Sequence, residues 1–352
     1  MKAVIRLALC AITTAATISA VAADRGVLFN GANRAIFPDM PYNQSDRMYD
    51  ADLETGRITE FNPHAIGAPA GFRPQAISKS GFLLATSGSQ LLACDPEKKK
   101  TVTVYKARPD VLLGDLAYNT TDGAVLIECL EKDKNGRITQ GAPIEKGKPE
   151  SSLSPLLYVP QDTDKAGFVF CRRVPSVDGF AFAPDGTLYF SHRGDVWAGT
   201  IESNDFGDGE RNPMPWVLAA ERVAPVAILE TYVGTPYATG ADEVTAGGDR
   251  LYIHSRRMGG SGMGDLYSIH RKPANGDQTQ DVASYARAAA ETLGSLTYIQ
   301  EYTKPPYLAT SPDGRNVFWV VSRTSDSGEK SMEATIVNTA DESSRTLILR
   351  RD

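Results

Sequence analysis

Apolar and polar positions alternate in short runs along most of the chain, and the runs are broken at close intervals by Gly, Asp, Asn and Pro. A period of two points to half-buried β-strands, and the breaks point to tight turns. The pattern is clearest in GFAFAPDGTLYFSHRGDVWAGTI, residues 179 to 201. Strands are predicted at 179–183, 187–192 and 195–201, with Asp185 and Gly186 supplying the first hairpin. The phrase reads as a three-stranded meander.

Looser copies recur. PYLATSPDGRNVFWVVSR spans 306 to 323, DEVTAGGDRLYIHSRR 242 to 257, and DLAYNTTDGAVLIECL 115 to 130. Upstream lie PQAISKSGFLLATSGSQLLACDPEKKKTVTVY at 74 to 105 and, most divergent, the segment 26 to 61. The third strands align on Tyr49, Leu92, Tyr158, Trp197, Tyr267 and Thr335. A polar turn and a fourth strand follow most of them, as in DLETGRITEF and TADESSRTLILRR. A sheet of this kind cannot bury both faces alone, so neighbouring sheets must pack around an axis. The expectation is all-β: a six-bladed β-propeller of four-stranded antiparallel blades.

SPDGRNVFWVVSR, GGDRLYIHSRRMGGSGMGDLYSI and APDGTLYFSHRGDVWAGTI resemble the PD40 or WD40-like repeats of TolB-type propellers, which also occur in the propeller domains of prolyl-oligopeptidase-type enzymes. TolB carries an α/β domain before its propeller, and the peptidases add a hydrolase domain. Neither is legible here, so the resemblance implies a propeller alone over 24–352.

Two segments depart from the repeat. GRITQGAPIEKGKPESSLSP, 136 to 155, is rich in Gly, Pro and charge and is expected to be an exposed loop. DVASYARAAAETLGSL, 281 to 296, places Val282, Tyr285, Ala286, Ala289, Leu293 and Leu296 on one helical face and is expected to be a helix.

At the N-terminus, Lys2 and Arg6 precede an apolar stretch with a small-residue exit at Ala20 to Ala23, the pattern of a cleaved secretory signal over 1–23. A periplasmic or secreted protein follows, with no stable membrane insertion. Losing Lys2 and Arg6 moves the formal charge from −6 to −8, which disfavours nucleic acid as a partner. Cys94, Cys129 and Cys171 remain, an odd number in an oxidising compartment. Cys129 and Cys171 fall on second and fourth strands of one blade, about 9.5 Å apart and beyond disulfide reach.

Catalytic signatures are weak. GGSGMG at 259 to 264 has neither the spacing of a nucleophile elbow nor that of a dinucleotide fingerprint. EKDKNGRITQGA, 131 to 142, imitates half a calcium loop but has Ala142 where a bidentate Glu belongs. NDFGDGE at 204 to 210 reads as a solvated acidic loop. The four histidines, at 64, 192, 254 and 270, form no metal-binding pair. A weaker resemblance, of SVDGFAFAPDGTLYFSH to lactonases of the SMP-30 type, implies a divalent cation held in the channel by carboxylates and amides; Glu128, Asp178 and Glu243 are the carboxylates on offer. No other cofactor is implied.

The remaining constellation comes from aligning the ends of the second strands: Ser191-His192-Arg193, Ser255-Arg256-Arg257 and Ser322-Arg323. These would gather on one rim of the channel, where His192, Arg193, Arg256, Arg257 and Arg323 could bind a carboxylate, a phosphate or an acidic peptide. Arginines recurring in register are also what a structural repeat predicts. The sequence therefore reads as a non-catalytic binding or scaffolding module for a small anionic ligand or a protein partner. The alternative is a channel-centred, metal-dependent hydrolase or lactonase.

Overall fold

The recurring Pro-Asp-Gly phrase builds the same hairpin twice. At the first, the Ala183 N–H donates to Thr187 O at 2.8 Å and the Gly186 N–H to Ala183 O at 2.9 Å; at the second, Ser311 N–H donates to Asn316 O and Gly314 N–H to Ser311 O, both at 2.8 Å. Gly186 and Gly314 adopt φ of 86° and 71°, a region that L side chains avoid. Asp185 Oδ1 accepts from the Thr187 N–H, and Asp313 Oδ1 from the Arg315 N–H, each at 3.1 Å. The duplicated words are turn chemistry.

These turns belong to a computed structural model that describes residues 26–29, 33–38, 47–109, 111–132, 138–140, 142–143, 153–154, 156–171, 177–192, 195–204, 214–224, 239–257, 264–271, 291–295, 307–324 and 330–351. The strands run in antiparallel series along the chain. The first is β1 (Val27–Phe29), β2 (Arg34–Pro38), β3 (Met48–Asp52) and β4 (Arg57–Glu60); the next is β5 (Ala76–Ile77), β6 (Leu83–Ser87), β7 (Gln90–Asp95) and β8 (Lys100–Lys106). Then come β9 (Leu112–Tyr118) and β10 (Val125–Lys132), the short β11 (Ile138–Gln140), β12 (Ala142–Pro143) and β13 (Leu153–Ser154), and β14 (Leu156–Val159) and β15 (Gly167–Cys171). β16 (Asp178–Phe182), β17 (Leu188–His192), β18 (Asp195–Ser203) and β19 (Trp216–Ala224) follow. The last two series are β20 (Thr239–Gly247), β21 (Arg250–Arg257), β22 (Gly264–His270) and β23 (Glu291–Ser295), and β24 (Tyr307–Thr310), β25 (Asn316–Thr324), β26 (Lys330–Asn338) and β27 (Ser344–Arg351).

Tyr49, Leu92, Tyr158, Trp197, Tyr267 and Thr335 fall on β3, β7, β14, β18, β22 and β26, each the third main strand of its series. Outer strands join in parallel at two places, β4 with β27 and β15 with β19. Burial declines outward. β14 and β17 are buried along their whole length, as strands covered on both faces must be, whereas β8 and β27 are mostly exposed. The apolar clusters lie between sheets; one unites Leu28, Phe37 and Tyr49 with Phe318, Ala334 and Leu349.

Polar braces also cross between series. Arg271 Nη1 donates to Asp185 Oδ2 at 2.8 Å, reaching from the end of β22 to the β16–β17 turn. Burial works against the charged Asp185, but the Thr187 N–H and Arg271 outweigh it and hold its carboxyl below the usual range.

Two expectations are corrected. Glu291–Ser295, the end of the expected helix 281–296, is β23, hydrogen-bonded to β22; the rest of that segment lies outside the described residues. The ladder offered by β22 outweighs the local helical spacing. The expected loop 136–155 contributes β11, which extends β10, and the two-stranded β12–β13 sheet. Cys94, Cys129 and Cys171 are free, with β14 between the last two as the sequence required. Burial pushes the Cys171 thiol up to about 12. Among the described residues, no helix is long and apolar enough to cross a membrane.

Candidate functional site: the axial cavity

The innermost strands β1, β5, β9, β16, β20 and β24 converge on one cavity of about 120 Å³. Their wall is polar and apolar in about equal measure, with Gln75, Thr120, Glu243, Thr245, Thr310 and Ser311 among its polar side chains. The Thr245 and Thr310 hydroxyls are 2.5 Å apart and join β20 to β24.

Gln75 is almost fully buried, at 4% exposure, and its amide is fully engaged. Nε2 donates to Gly114 O at 3.2 Å and Asp115 Oδ1 at 3.3 Å, while Oε1 accepts from the Thr86 N–H at 3.0 Å. The side chain thus spans from one sheet to the next beside the axis. Two residues upstream lies Arg73, 7% exposed, its Nε buried without a hydrogen-bond partner.

Three neighbouring innermost strands bulge near their leading ends. The irregularities fall at Gly114–Asp115 of β9, Gly179 of β16 and Asp242 of β20. Bulges re-aim side chains, and each of these carries or adjoins an acidic residue. Glu128 Oε2 accepts from the Asp115 N–H at 3.5 Å. It packs so closely on Gly114 that a Cβ there would come within 2.5 Å of Oε2, so a larger residue would push the Glu128 carboxylate aside. Of the three carboxylates named from the sequence, Glu243 lines the cavity and Glu128 sits beside Asp115; the side chain of Asp178 is outside the described residues. Among the described residues, no group of three or more His, Cys, Asp or Glu side chains could hold a metal ion.

The residues proposed for a cationic rim lie elsewhere. His192, Arg257 and Arg323 stand at or near the far ends of β17, β21 and β25, with Arg256 beside Arg257. The registers Arg257↔Thr239 and Glu243↔His254 put Arg257 beyond the cavity-lining stretch, about 10 Å along the strand from the partner of Glu243. His192 is buried and packs edge-on against Trp197, with ring centroids 6.1 Å apart. Arg193, and the side chains of Arg256, Arg257 and Arg323, lie outside the described residues, as do GGSGMG, the centre of the calcium-like loop and most of NDFGDGE.

Sequence reading missed Gln75, Thr245, Thr310 and Arg73. One signal was present: Arg73-Pro74-Gln75 places two strongly polar residues where an innermost strand begins, a position the other repeats fill largely with apolar or acidic side chains.

No family model matches the chain, and no curated protein matches it. Among solved structures, a protein provisionally described as a gluconolactonase aligns over 93% of this chain and 90% of its own, at 14% identity and a TM-score of 0.50. An oligogalacturonate lyase from Vibrio parahaemolyticus aligns over 92% of this chain and 76% of its own, at 12% identity and a TM-score of 0.45. An oligogalacturonate lyase in complex with manganese covers 85% and 69%, at 13% and 0.44. The first of these bears on the fold, and at such identity on the fold alone. Together with sheets whose inner strands surround an axial cavity, it makes the chain an all-β propeller.

Proposed function

We propose that the protein is a single six-bladed propeller of four-stranded blades that binds a small polar ligand in its axial cavity and hydrolyses a sugar-derived lactone there. The observation that carries this reading is the cavity wall itself, where the carboxylate Glu243 and the hydroxyls of Thr245 and Thr310 stand together on the neighbouring strands β20 and β24. The gluconolactonase-like neighbour, similar along nearly its whole length, supports testing lactones first. Pairing within each series, from innermost to outermost strand, supports the six-by-four count.

In this reading Glu243 takes a proton from a water molecule as that water attacks the lactone carbonyl. The ring C–O bond breaks, the departing oxygen takes up that proton, and the hydroxy acid formed ionises to a hydroxy-carboxylate and releases the water's second proton to solvent. General-base assistance of this kind contributes about 10²- to 10⁴-fold. Proton release from a panel of sugar lactones should therefore be detectable, and Glu243→Gln should lower kcat at least 100-fold with the fold intact. No turnover of any lactone would retire the enzymatic reading.

A second reading, the non-catalytic module for an anionic ligand or protein partner in the periplasm, draws on the TolB-like phrases, the N-terminal signal pattern and the corresponding strand ends that carry Arg256 and Arg323. In the same assay series, Arg256→Ala with Arg323→Ala should weaken an acidic ligand if those residues bind it. If they brace the repeat, the pair lowers stability and leaves affinity unchanged.

A further inference from the structure

Two arginines among the described residues are more than nine-tenths buried, Arg250 at 5% and Arg73 at 7% exposure. Arg250 has a counter-charge, with Nε 2.7 Å from Glu342 Oε1. Arg73 forms no hydrogen bond or ion pair with any described residue, and its Nε is enclosed. A guanidinium cannot shed its proton, so it cannot escape burial by neutralising itself. Native proteins pair such charges because leaving one uncompensated is costly. Arg73 is thus a buried cation with no hydrogen-bonded counter-charge among the described residues.

The backbone gives its direction. Pro74 disfavours the helical region for the residue before it, which keeps Arg73 extended. The Gln75 N–H donates to Leu84 O at 2.8 Å, carrying the β5–β6 ladder back toward this segment. Residues two apart in an extended chain share a side, so Arg73 falls on the side of Gln75, the residue that lines the cavity and reaches Gly114 and Asp115. Phe72, between-sheet in the alternation, is buried in the core with Val27, Ile36 and Leu83.

We propose that Arg73 anchors the anionic group of a small ligand, a carboxylate or a phosphate, at the edge of the axial cavity beside Gln75. The inference rests on the axial cavity being the binding site and adds the ligand's charge. Arginine's planar fork suits either oxyanion bidentately, and the low local dielectric strengthens the pairing. The formal charge of the chain is −6, so attraction of an anion here would not follow from overall charge. A hydroxy-carboxylate, the product of lactone opening, has the required group.

The test is calorimetric titration of the full chain with gluconate and with inorganic phosphate, using glucitol as the uncharged control, alongside melting temperatures without ligand. Arg73→Met should weaken the preferred anion at least tenfold, leave glucitol binding unchanged, and leave the ligand-free melting temperature unchanged or higher, because an uncompensated charge has been removed. Arg73→Lys, which keeps the charge but loses the fork, should fall between. Gluconate bound in preference to phosphate assigns the carboxylate, and the reverse assigns the phosphate. Anion affinities unaltered in both variants, or a lowered melting temperature in Arg73→Met with unaltered affinity, would overturn the proposal. Lactone turnover by Glu243 is read separately: turnover without an Arg73-dependent anion site refutes the anchor alone, and an Arg73-dependent anion site without turnover upholds the anchor and removes the catalytic role.

Discussion

Replacing Arg250 with alanine is expected to destabilise the fold by about 3–5 kcal/mol, the range for breaking a buried ion pair from one side. Arg250 begins β21, and Glu342 lies in the turn between β26 and β27, so the pair ties two sheets together. Arg250 Nε is 2.7 Å from Glu342 Oε1, and Nη2 donates to Ser268 Oγ at 2.7 Å. The Ser268 hydroxyl in turn donates to Glu342 Oε1 at 2.6 Å. Ser268 is wholly buried, so truncating Arg250 leaves its oxygen without two donors and leaves Glu342 without its charge partner. Glu342 itself is held at φ 55°, a conformation a non-glycine residue keeps only when its surroundings require it.

Burial also pushes the Tyr252 hydroxyl's pKa up, and the nearby Glu342 carboxylate pushes the same way. Equilibrium urea unfolding measures the loss. A change below about 1 kcal/mol would class the pair with solvent-screened surface bridges. In the double variant Arg250→Met with Glu342→Leu, most of the loss should return, because the desolvation of both charges disappears with them.

Local grammar made much of the fold legible. Asp185-Gly186 and Asp313-Gly314 prescribe a turn whatever surrounds them, and the alternation beside them prescribes strands, which are found within a residue or two of the expected bounds at 178–182, 188–192 and 195–203. Where local and tertiary preferences conflict, the sequence misled. The helical spacing around Leu293 is a property of the segment alone, while the open edge of β22 that claims Glu291–Ser295 is supplied by residues more than 20 positions away.

The site was less legible for the same reason. Thr245 and Thr310 meet across 65 positions, and Gln75 reaches Asp115 across 40. No spacing rule links such residues, because the cavity is assembled by the packing of strands far apart in the chain. The arginines at strand ends stood out because they recur in register. Arg73 recurs nowhere, and only its burial without a partner distinguishes it.

The junction of the first and last sheets bears the second large effect. Phe37 of β2 and Phe318 of β25 are fully buried, with ring centroids 5.9 Å apart at 48°. Tyr49 packs on the other side of Phe37 at 6.1 Å. The backbone link between these sheets is slight, a parallel pairing of Arg350 with Arg57 and Arg351 with Ile58. Each series here is contiguous in sequence, so side-chain packing must hold the two together. Phe37→Ala and Phe318→Ala should each destabilise by about 3–5 kcal/mol, combining lost burial with the void left behind. The double variant should lose less than the sum, by about 0.5–1.5 kcal/mol, because the first truncation has already removed the ring contact. Strict additivity within about 0.5 kcal/mol would mean that the rings are buried independently and that the junction is held elsewhere in the cluster, with Met332 and Leu349 against Ile58 as the next contact to cut.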